Sequence, residues 1–243
     1  MKLSKQILLG AMTVASALAA GKDSYTYERL NKNDTLLLVV DIQEGLYELV
    51  RDFEPVTYKQ AALAHSSLGP LFDLPVIMTT SAETGPNGKL MAEILAMHPD
   101  APLIQRQGEV NAWDSAEFRE AVQNSNKSQI LIAGIMTDVC TAHLALSLRE
   151  AGYSVWANAE ASGTSSTFIR DIANDRMRSA GVNVVSLFSI VGELMGDWRN
   201  VPGAKEVFPY FDKFFPTAGT LARFHATAVT NGTIMPGQAD LPY

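Results

Sequence analysis

Apolar runs of strand length alternate along the chain with stretches that have helical spacing. Six runs are predicted to form strands, at residues 36–40, 74–80, 102–104, 130–135, 153–158 and 182–187. Helices are predicted between them, at 58–71, from Ser115 onward, and at 139–151, 165–180 and 190–198. Runs that are apolar throughout are typical of parallel strands buried on both faces. The alternation therefore predicts a three-layer, doubly wound α/β fold around a mainly parallel six-stranded sheet.

Residue types at the helix ends support this division. Ser115 is a typical N-cap for the helix that follows it, and Thr137 and Asp138 are expected to cap a helix beginning near Val139. Gly152 and Gly181 follow two of the predicted helices, which is a usual place for glycine.

The pattern loosens after about residue 200. An aromatic stretch contains Phe208, Tyr210, Phe211, Phe214 and Phe215, and a helix is possible at 220–229. Aromatic residues of this kind suit internal packing or a contact between subunits. No repeat or linker divides the chain, so residues 21–243 are interpreted as one domain with a C-terminal extension after about 200.

The first twenty residues have the pattern of an export signal. Lys2 and Lys5 precede a mostly apolar run from Ile7 to Ala20, with Ala17 and Ala19 placed for cleavage. We expect a signal peptide at 1–20 and a mature protein that is exported, with a retained anchor as the alternative. The sequence does not distinguish a bacterial periplasm from a eukaryotic secretory route, and no later segment is predicted to enter a membrane.

Charge and cysteine content narrow the functional classes. The formal net charge of -7, without a cluster of Lys and Arg, argues against a nucleic-acid partner. A single cysteine cannot form an intramolecular disulfide, and four scattered histidines give no zinc-ligand spacing. We therefore expect neither a metal nor another cofactor, and a small molecule as the substrate.

Three chemically complementary residues fall at or just after predicted strands. Asp41 ends the first strand, Arg106 follows the third, and Cys140 lies in the first turn of the helix after the fourth. The carboxyl ends of parallel strands share one edge of the sheet, where ligands bind. A thiol at a helix N-terminus beside an arginine is expected to have a lowered pKa, with Asp41 as its base. Each residue alone also fits a bland role: a small core cysteine, a turn-capping aspartate or a surface ion pair.

Four segments carry a recognisable pattern: the segment ending a strand at Asp41 with Gln43 close behind, the Thr79–Gly88 stretch, the Asn111–Asp114 stretch, and Gly134–Cys140. They resemble the isochorismatase-like cysteine hydrolases, and specifically their YcaC-related branch, and Gly134–Cys140 is the most specific of them. The resemblance runs from about Tyr27 to Asn200. It implies a triad of Asp41, Arg106 and Cys140, in which arginine replaces the lysine that is more common in the wider family.

The resemblance also implies how the residues would act. Arginine does not deprotonate, so Arg106 would orient and stabilise charge rather than shuttle a proton. A cis peptide before Met136 would direct the backbone N–H groups of Met136 and Cys140 toward an oxyanion. The candidates for binding substrate are Gln43, Glu83, Asn111, Trp113 and Thr137, although Trp113 equally suits packing.

The resulting hypothesis is hydrolysis of a small amide or ester through an acyl-enzyme intermediate, by a protein that forms homo-oligomers. A vinyl-ether-cleaving isochorismatase is the second hypothesis, but such relatives lack the cysteine. The third is a ligand-binding or assembly protein without catalysis, which would have an unreactive Cys140.

Overall fold

A six-stranded parallel sheet forms the centre of the molecule. The structure, a computed structural model, describes residues 27–234, so the predicted signal peptide lies outside the described residues. The strands are β1 (Thr35–Val40), β2 (Val76–Ser81), β3 (Leu103–Arg106), β4 (Gln129–Gly134), β5 (Ser154–Asn158) and β6 (Asn183–Val185). Their order is β3-β2-β1-β4-β5-β6, and every neighbouring pair is parallel. The predicted doubly wound fold is confirmed.

Nine α-helices surround the sheet within the described residues. They are α1 (Glu44–Tyr47), α2 (Pro55–Phe72), α3 (Ala92–Met97), α4 (Ala116–Asn124), α5 (Ala142–Glu150), α6 (Thr167–Ser179), α7 (Leu187–Met195), α8 (Ala204–Phe214) and α9 (Pro216–Thr230).

Alternate residues of the buried strands face two separate hydrophobic cores. Leu37 and Val39 pack with apolar side chains of α2, α7 and α8, whereas Leu38 and Val40 pack with those of α4 and α5. Successive side chains of a strand point to opposite faces, so a run that is apolar throughout is buried on both. This arrangement is the expected three-layer architecture.

Several element boundaries differ from those predicted. Helix α2 begins at Pro55 rather than 58, because Glu54 caps it by accepting from the N–H groups of Val56 and Thr57. The last predicted strand is shorter, ending at Val185, and Ser186 caps a helix at Leu187–Met195 instead of 190–198. In both cases the helix begins directly after a residue whose side chain caps it, and not where the apolar run alone indicated.

The C-terminal region contains two helices where the sequence indicated one. Helix α8 was not predicted, although Val207, Tyr210, Phe211 and Phe214 have the i, i+3, i+4, i+7 spacing of a helix face. Pro209 lies inside it, which disguised the pattern. The hydroxyl of Tyr210 donates to the carbonyl of Ala64 at 3.0 Å, so the aromatic stretch is packed against α2.

Over residues 27–234, no helix is both long enough and apolar enough to cross a bilayer.

Candidate active site

A cleft of about 240 Å³ opens where the sheet order changes direction, between β1 and β4. Loops that follow β1, β2, β3 and β4 all reach it, as expected for the carboxyl edge of a doubly wound sheet. Its lining consists of Leu46, Ser81, Ala82, Asn87, Gly108, Glu109, Val110, Ile135, Met136, Val139 and Cys140.

Asp41 directly follows β1 and is completely buried. Its φ of 53° lies in the left-handed region, which aspartate tolerates better than most residues. One carboxylate oxygen, Oδ1, accepts from the hydroxyl of Thr79 at 2.6 Å, and the other is paired with the Nη2 group of Arg106. The carboxylate is therefore held in a fixed orientation.

Arg106 is the last residue of β3, rather than following it as predicted. Its side chain is 1% exposed, and its two terminal nitrogens donate to Asp41 and to the carbonyl oxygen of Glu109. Pairing the buried carboxylate with the buried guanidinium offsets part of the desolvation cost that either charge would have alone. The pair links β1 to the loop after β3.

Cys140 lies in a π-helical turn, Thr137–Thr141, that precedes α5. The predicted side-chain cap from Thr137 or Asp138 is wrong: Met136 is the N-cap residue, and its side chain makes no capping bond. The Ile135–Met136 peptide is cis, as the resemblance implied. The π-helical turn brings Cys140 and Met136 together on the cleft wall.

The expected lowering of the Cys140 pKa is wrong. Burial, followed by the charge and hydrogen bonding of Asp41, raises the pKa of the thiol to about 12, while Arg106 and the backbone of Met136 act in the opposite direction. Two features outweigh the helix N-terminus: the sulfur is desolvated, and its hydrogen-bond partner is a carboxylate. The resting Cys140 side chain is therefore a neutral thiol that is hydrogen-bonded to Asp41.

The turn that carries Cys140 is tied to the loop after β5. The Thr137 N–H donates to the carbonyl of Gly163 at 2.9 Å, and the Thr164 hydroxyl donates to Asp138 at 2.6 Å. Asp52 accepts from the Thr164 N–H at 2.8 Å. A Cβ at Gly163 would lie 2.8 Å from side-chain atoms of its neighbours, so the close approach requires glycine. These hydrogen bonds fix the position of the turn that carries Cys140.

The five residues predicted to bind substrate lie near the cleft but are not part of its lining. The Gln43 amide bonds Ser81 and Gly88, and Glu83 accepts from Thr80 and Gln105. Asn111 bonds Ser147 and caps the turn that contains Trp113. Trp113 packs edge-on against Phe118 and Tyr153, and Thr137 is fully buried. A direct contact between any of them and a substrate stays a prediction.

Several lining residues were missed by the sequence reasoning. Ser81 ends β2 and Asn87 lies in the turn-rich segment after it, so the rule that located Asp41 could also have indicated them. The Asn87 Nδ2 group donates to the carbonyl and hydroxyl of Ser81, at 2.8 and 3.1 Å. A Cβ at Gly45 would lie 2.0 Å from the carbonyl oxygen of Pro86, so glycine is required for this loop to pack on α1.

Two buried histidines form hydrogen bonds with backbone carbonyls inside the fold. His65 Nε2 lies 3.0 Å from the carbonyl of Leu38, and burial lowers its pKa to about 4. His98 Nε2 lies 3.0 Å from the carbonyl of Ser66. In the described part of the chain, no group of three or more His, Cys, Asp or Glu side chains is arranged to hold a metal ion.

Comparison with known proteins assigns the chain to one family. The model of the isochorismatase domain matches residues 35–188, so the chain belongs to the isochorismatase family of hydrolases. A relative in Escherichia coli, the probable hydrolase YcaC, is 48% identical over 174 residues, covering 72% of this chain and 84% of that protein.

Solved structures of YcaC proteins also resemble the chain. The Pseudomonas aeruginosa protein, solved with hexane-2,5-diol and covalent acrylamide, has a TM-score of 0.80 at 42% identity, covering 84% of this chain and 100% of that one. The Escherichia coli protein, described as an octameric hydrolase of unknown specificity, has a TM-score of 0.81 at 44% identity, over 84% and 99%.

Proposed function

We propose that the chain is a cysteine-dependent hydrolase that cleaves the C–N bond of a small amide, or an ester bond, through an acyl-enzyme intermediate. The observation that carries this proposal is the Cys140 thiol at the wall of the cleft, because its hydrogen-bond partner is the oriented carboxylate of Asp41. Covalent catalysis requires a nucleophile in contact with a base, and a further group that orients the base.

The chemistry balances with these groups alone. The Cys140 sulfur attacks the carbonyl carbon as its proton passes to Asp41, and backbone N–H groups of Met136 and Cys140 stabilise the oxyanion. Asp41 then protonates the leaving nitrogen, and a thioester remains. A water molecule gives its proton to Asp41 and attacks the thioester, which releases the acid and restores the thiol. Arg106 keeps the carboxylate oriented throughout.

The relatives support a reactive site and an assembled protein. Covalent acrylamide in the Pseudomonas aeruginosa structure shows that a YcaC protein can react with a small electrophile bearing an amide. We assign the corresponding reactivity in this chain to Cys140. The octameric relative supports a homo-oligomer here, and the N-terminal sequence supports export by signal peptide.

One observation favours the alternative of a ligand-binding protein without catalysis: the pKa of Cys140 is raised, not lowered. Ammonia release from a panel of small amides, with wild type, Cys140→Ala and Cys140→Ser, distinguishes the two functions. The hydrolase proposal expects turnover in wild type and none in Cys140→Ala. Turnover that survives in Cys140→Ala would remove the nucleophile, and a wild type that binds but does not cleave would support the alternative.

A further inference from the structure

The walls of the cleft are mostly aliphatic. Its apolar lining residues are Leu46, Ala82, Val110, Ile135, Met136 and Val139. At about 240 Å³ the cleft is smaller than the roughly 300–1,000 Å³ of sites for drug-sized ligands. It therefore fits a substrate with only a short apolar group attached to the reacting carbonyl.

The charges around the cleft are unfavourable for an anion. Among the described residues that line it, none is Lys, Arg or His, and Glu109 is the charged one. Hydrogen bonds from its own backbone N–H and that of Gly108 lower the pKa of Glu109, so this side chain is a carboxylate at neutral pH. A substrate carboxylate would meet a like charge at the cleft wall.

The nearby guanidinium does not compensate for this. Both terminal nitrogens of Arg106 are engaged, by Asp41 and by the carbonyl of Glu109, and its side chain is 1% exposed. At the Cys140 sulfur the charge of Asp41 outweighs that of Arg106 in setting the thiol pKa. Arg106 therefore offers no free cation to a substrate carboxylate at the sulfur.

The polar groups on the cleft wall suit an amide nitrogen. Asn87 uses its Nδ2 group to donate to Ser81, which fixes the side-chain amide. Its Oδ1 atom accepts no hydrogen bond from the residues the structure describes, so it is available to a donor in the cleft. An N–H group of the substrate supplies such a donor. The two oxygens of a substrate carboxylate are acceptors only, so they could not form a hydrogen bond with Oδ1 of Asn87.

We infer that the cleft selects small uncharged amides with a short aliphatic acyl group and rejects substrates that carry a carboxylate. This inference rests on the proposed cysteine hydrolase, whose substrate class it specifies. Burying an unpaired carboxylate beside Glu109 costs its hydration without providing a cation in return. We expect discrimination of at least about 100-fold in kcat/KM.

A pair of thiol reagents tests the charge preference without requiring turnover. Iodoacetamide and iodoacetate differ in charge and label the same sulfur, and intact mass reports labelling of Cys140, the single cysteine of the chain. Rates at Cys140 are divided by those of glutathione, which removes intrinsic differences between the reagents. We expect the iodoacetamide preference of Cys140 to exceed that of glutathione by at least about tenfold.

A charge variant with a matched control locates the effect in the cleft. Val110 lines the cleft and is 54% exposed, so it tolerates a long polar side chain. Val110→Lys should raise the relative iodoacetate rate about tenfold, and Val110→Gln, similar in length but uncharged, should not.

A second measurement compares hydrolysis of 4-methylpentanamide with that of succinamate, which has a carboxylate in place of the isopropyl group.

The outcomes separate this inference from the proposed function. A reagent preference equal to that of glutathione, or succinamate hydrolysed within tenfold of 4-methylpentanamide, would overturn the charge selection. Selective labelling together with amide turnover that survives in Cys140→Ala would instead refute the cysteine hydrolase while supporting the charge selection.

Discussion

Replacing Asp41 by asparagine should make Cys140 easier to alkylate while abolishing hydrolysis. The charge of Asp41 and its hydrogen bond with the thiol both raise the pKa of Cys140, whereas Arg106 lowers it. In Asp41→Asn the negative charge is lost and the arginine remains. The pKa of the thiol should therefore fall, although the base that accepts its proton during attack is gone.

The size of the effect follows from the ionised fraction. A thiol with a pKa of about 12 is ionised to about one part in ten thousand at pH 8. Each unit by which the pKa falls raises that fraction about tenfold. Burial, the largest cause of the raised pKa, persists in the variant, so we expect a fall of roughly one to two units. Alkylation by iodoacetamide should then be about 10- to 100-fold faster.

The assay follows alkylation by intact mass between pH 6 and 10, with amide turnover measured in parallel. Asp100→Asn is the matched control, because Asp100 is exposed in the turn before β3, at the opposite edge of the sheet. It should leave both measurements unchanged. Slower alkylation in Asp41→Asn, or turnover close to that of wild type, would refute the assignment of Asp41 as the base that also restrains the thiol.

Three further predictions concern the support of the site and the core. Arg106→Met should destabilise the protein by about 3–5 kcal/mol in urea unfolding, because it leaves the buried carboxylate of Asp41 unpaired; Arg106→Lys should cost less. Thr164→Val should lower kcat more than it raises KM, because the turn that carries Cys140 loses its 2.6 Å hydrogen bond from Thr164 to Asp138; Thr164→Ser, which keeps the hydroxyl, should keep kcat close to that of wild type. His65 has a pKa of about 4 in the folded protein, below its ordinary 6.5, so its contribution to stability is complete above pH 6.5 and is lost as the pH falls toward 4. Urea unfolding should therefore show a free energy of unfolding about 2–3 kcal/mol lower at pH 4.5 than at pH 7, and this loss should be absent in His65→Gln.

Each of these has a clear contrary result. An unfolding free energy of Arg106→Met equal to that of wild type would show that the buried pair contributes no stability. A Thr164→Ser variant as slow as Thr164→Val would place the effect in packing rather than in the hydrogen bond. A loss of stability at acid pH that persists in His65→Gln would assign it to other groups.

The strands were predictable because they are buried on both faces. Residues 36–40 and 130–135 are apolar throughout, and such runs leave little choice but a central parallel strand. Helix α8 was not predicted, because Pro209 interrupts a segment whose apolar spacing is otherwise helical. Tertiary burial of Val207 and Phe211 offsets the local cost of the proline.

The sequence was sufficient to predict which three residues meet in the site, but not the lining of the cleft or its electrostatics. The positions of Asp41, Arg106 and Cys140 relative to the strands sufficed to bring them to one edge of the sheet. The protonation state of Cys140 depends instead on the depth of burial and on which partner the sulfur contacts. Neither quantity is encoded locally, and the π-helical turn that sets both is not visible in the residue pattern.

The raised pKa of the thiol leads to a prediction about the pH dependence of catalysis. If the reacting form is the neutral Cys140 thiol paired with the Asp41 carboxylate, kcat/KM should stay flat between pH 7 and 10, since the thiol titrates only near 12. A site that reacts through a preformed thiolate with an ordinary cysteine pKa would instead gain rate up to about pH 8.5 and level off above it. Of the described lining residues, Glu109 and Cys140 are the ionisable ones, and Glu109 is already a carboxylate over this range. A pH profile of kcat/KM for a neutral amide, measured with Glu109→Gln as the control, decides between these two reacting forms. A rise with unit slope below pH 8.5 would contradict proton transfer coupled to attack, and a flat profile would support it.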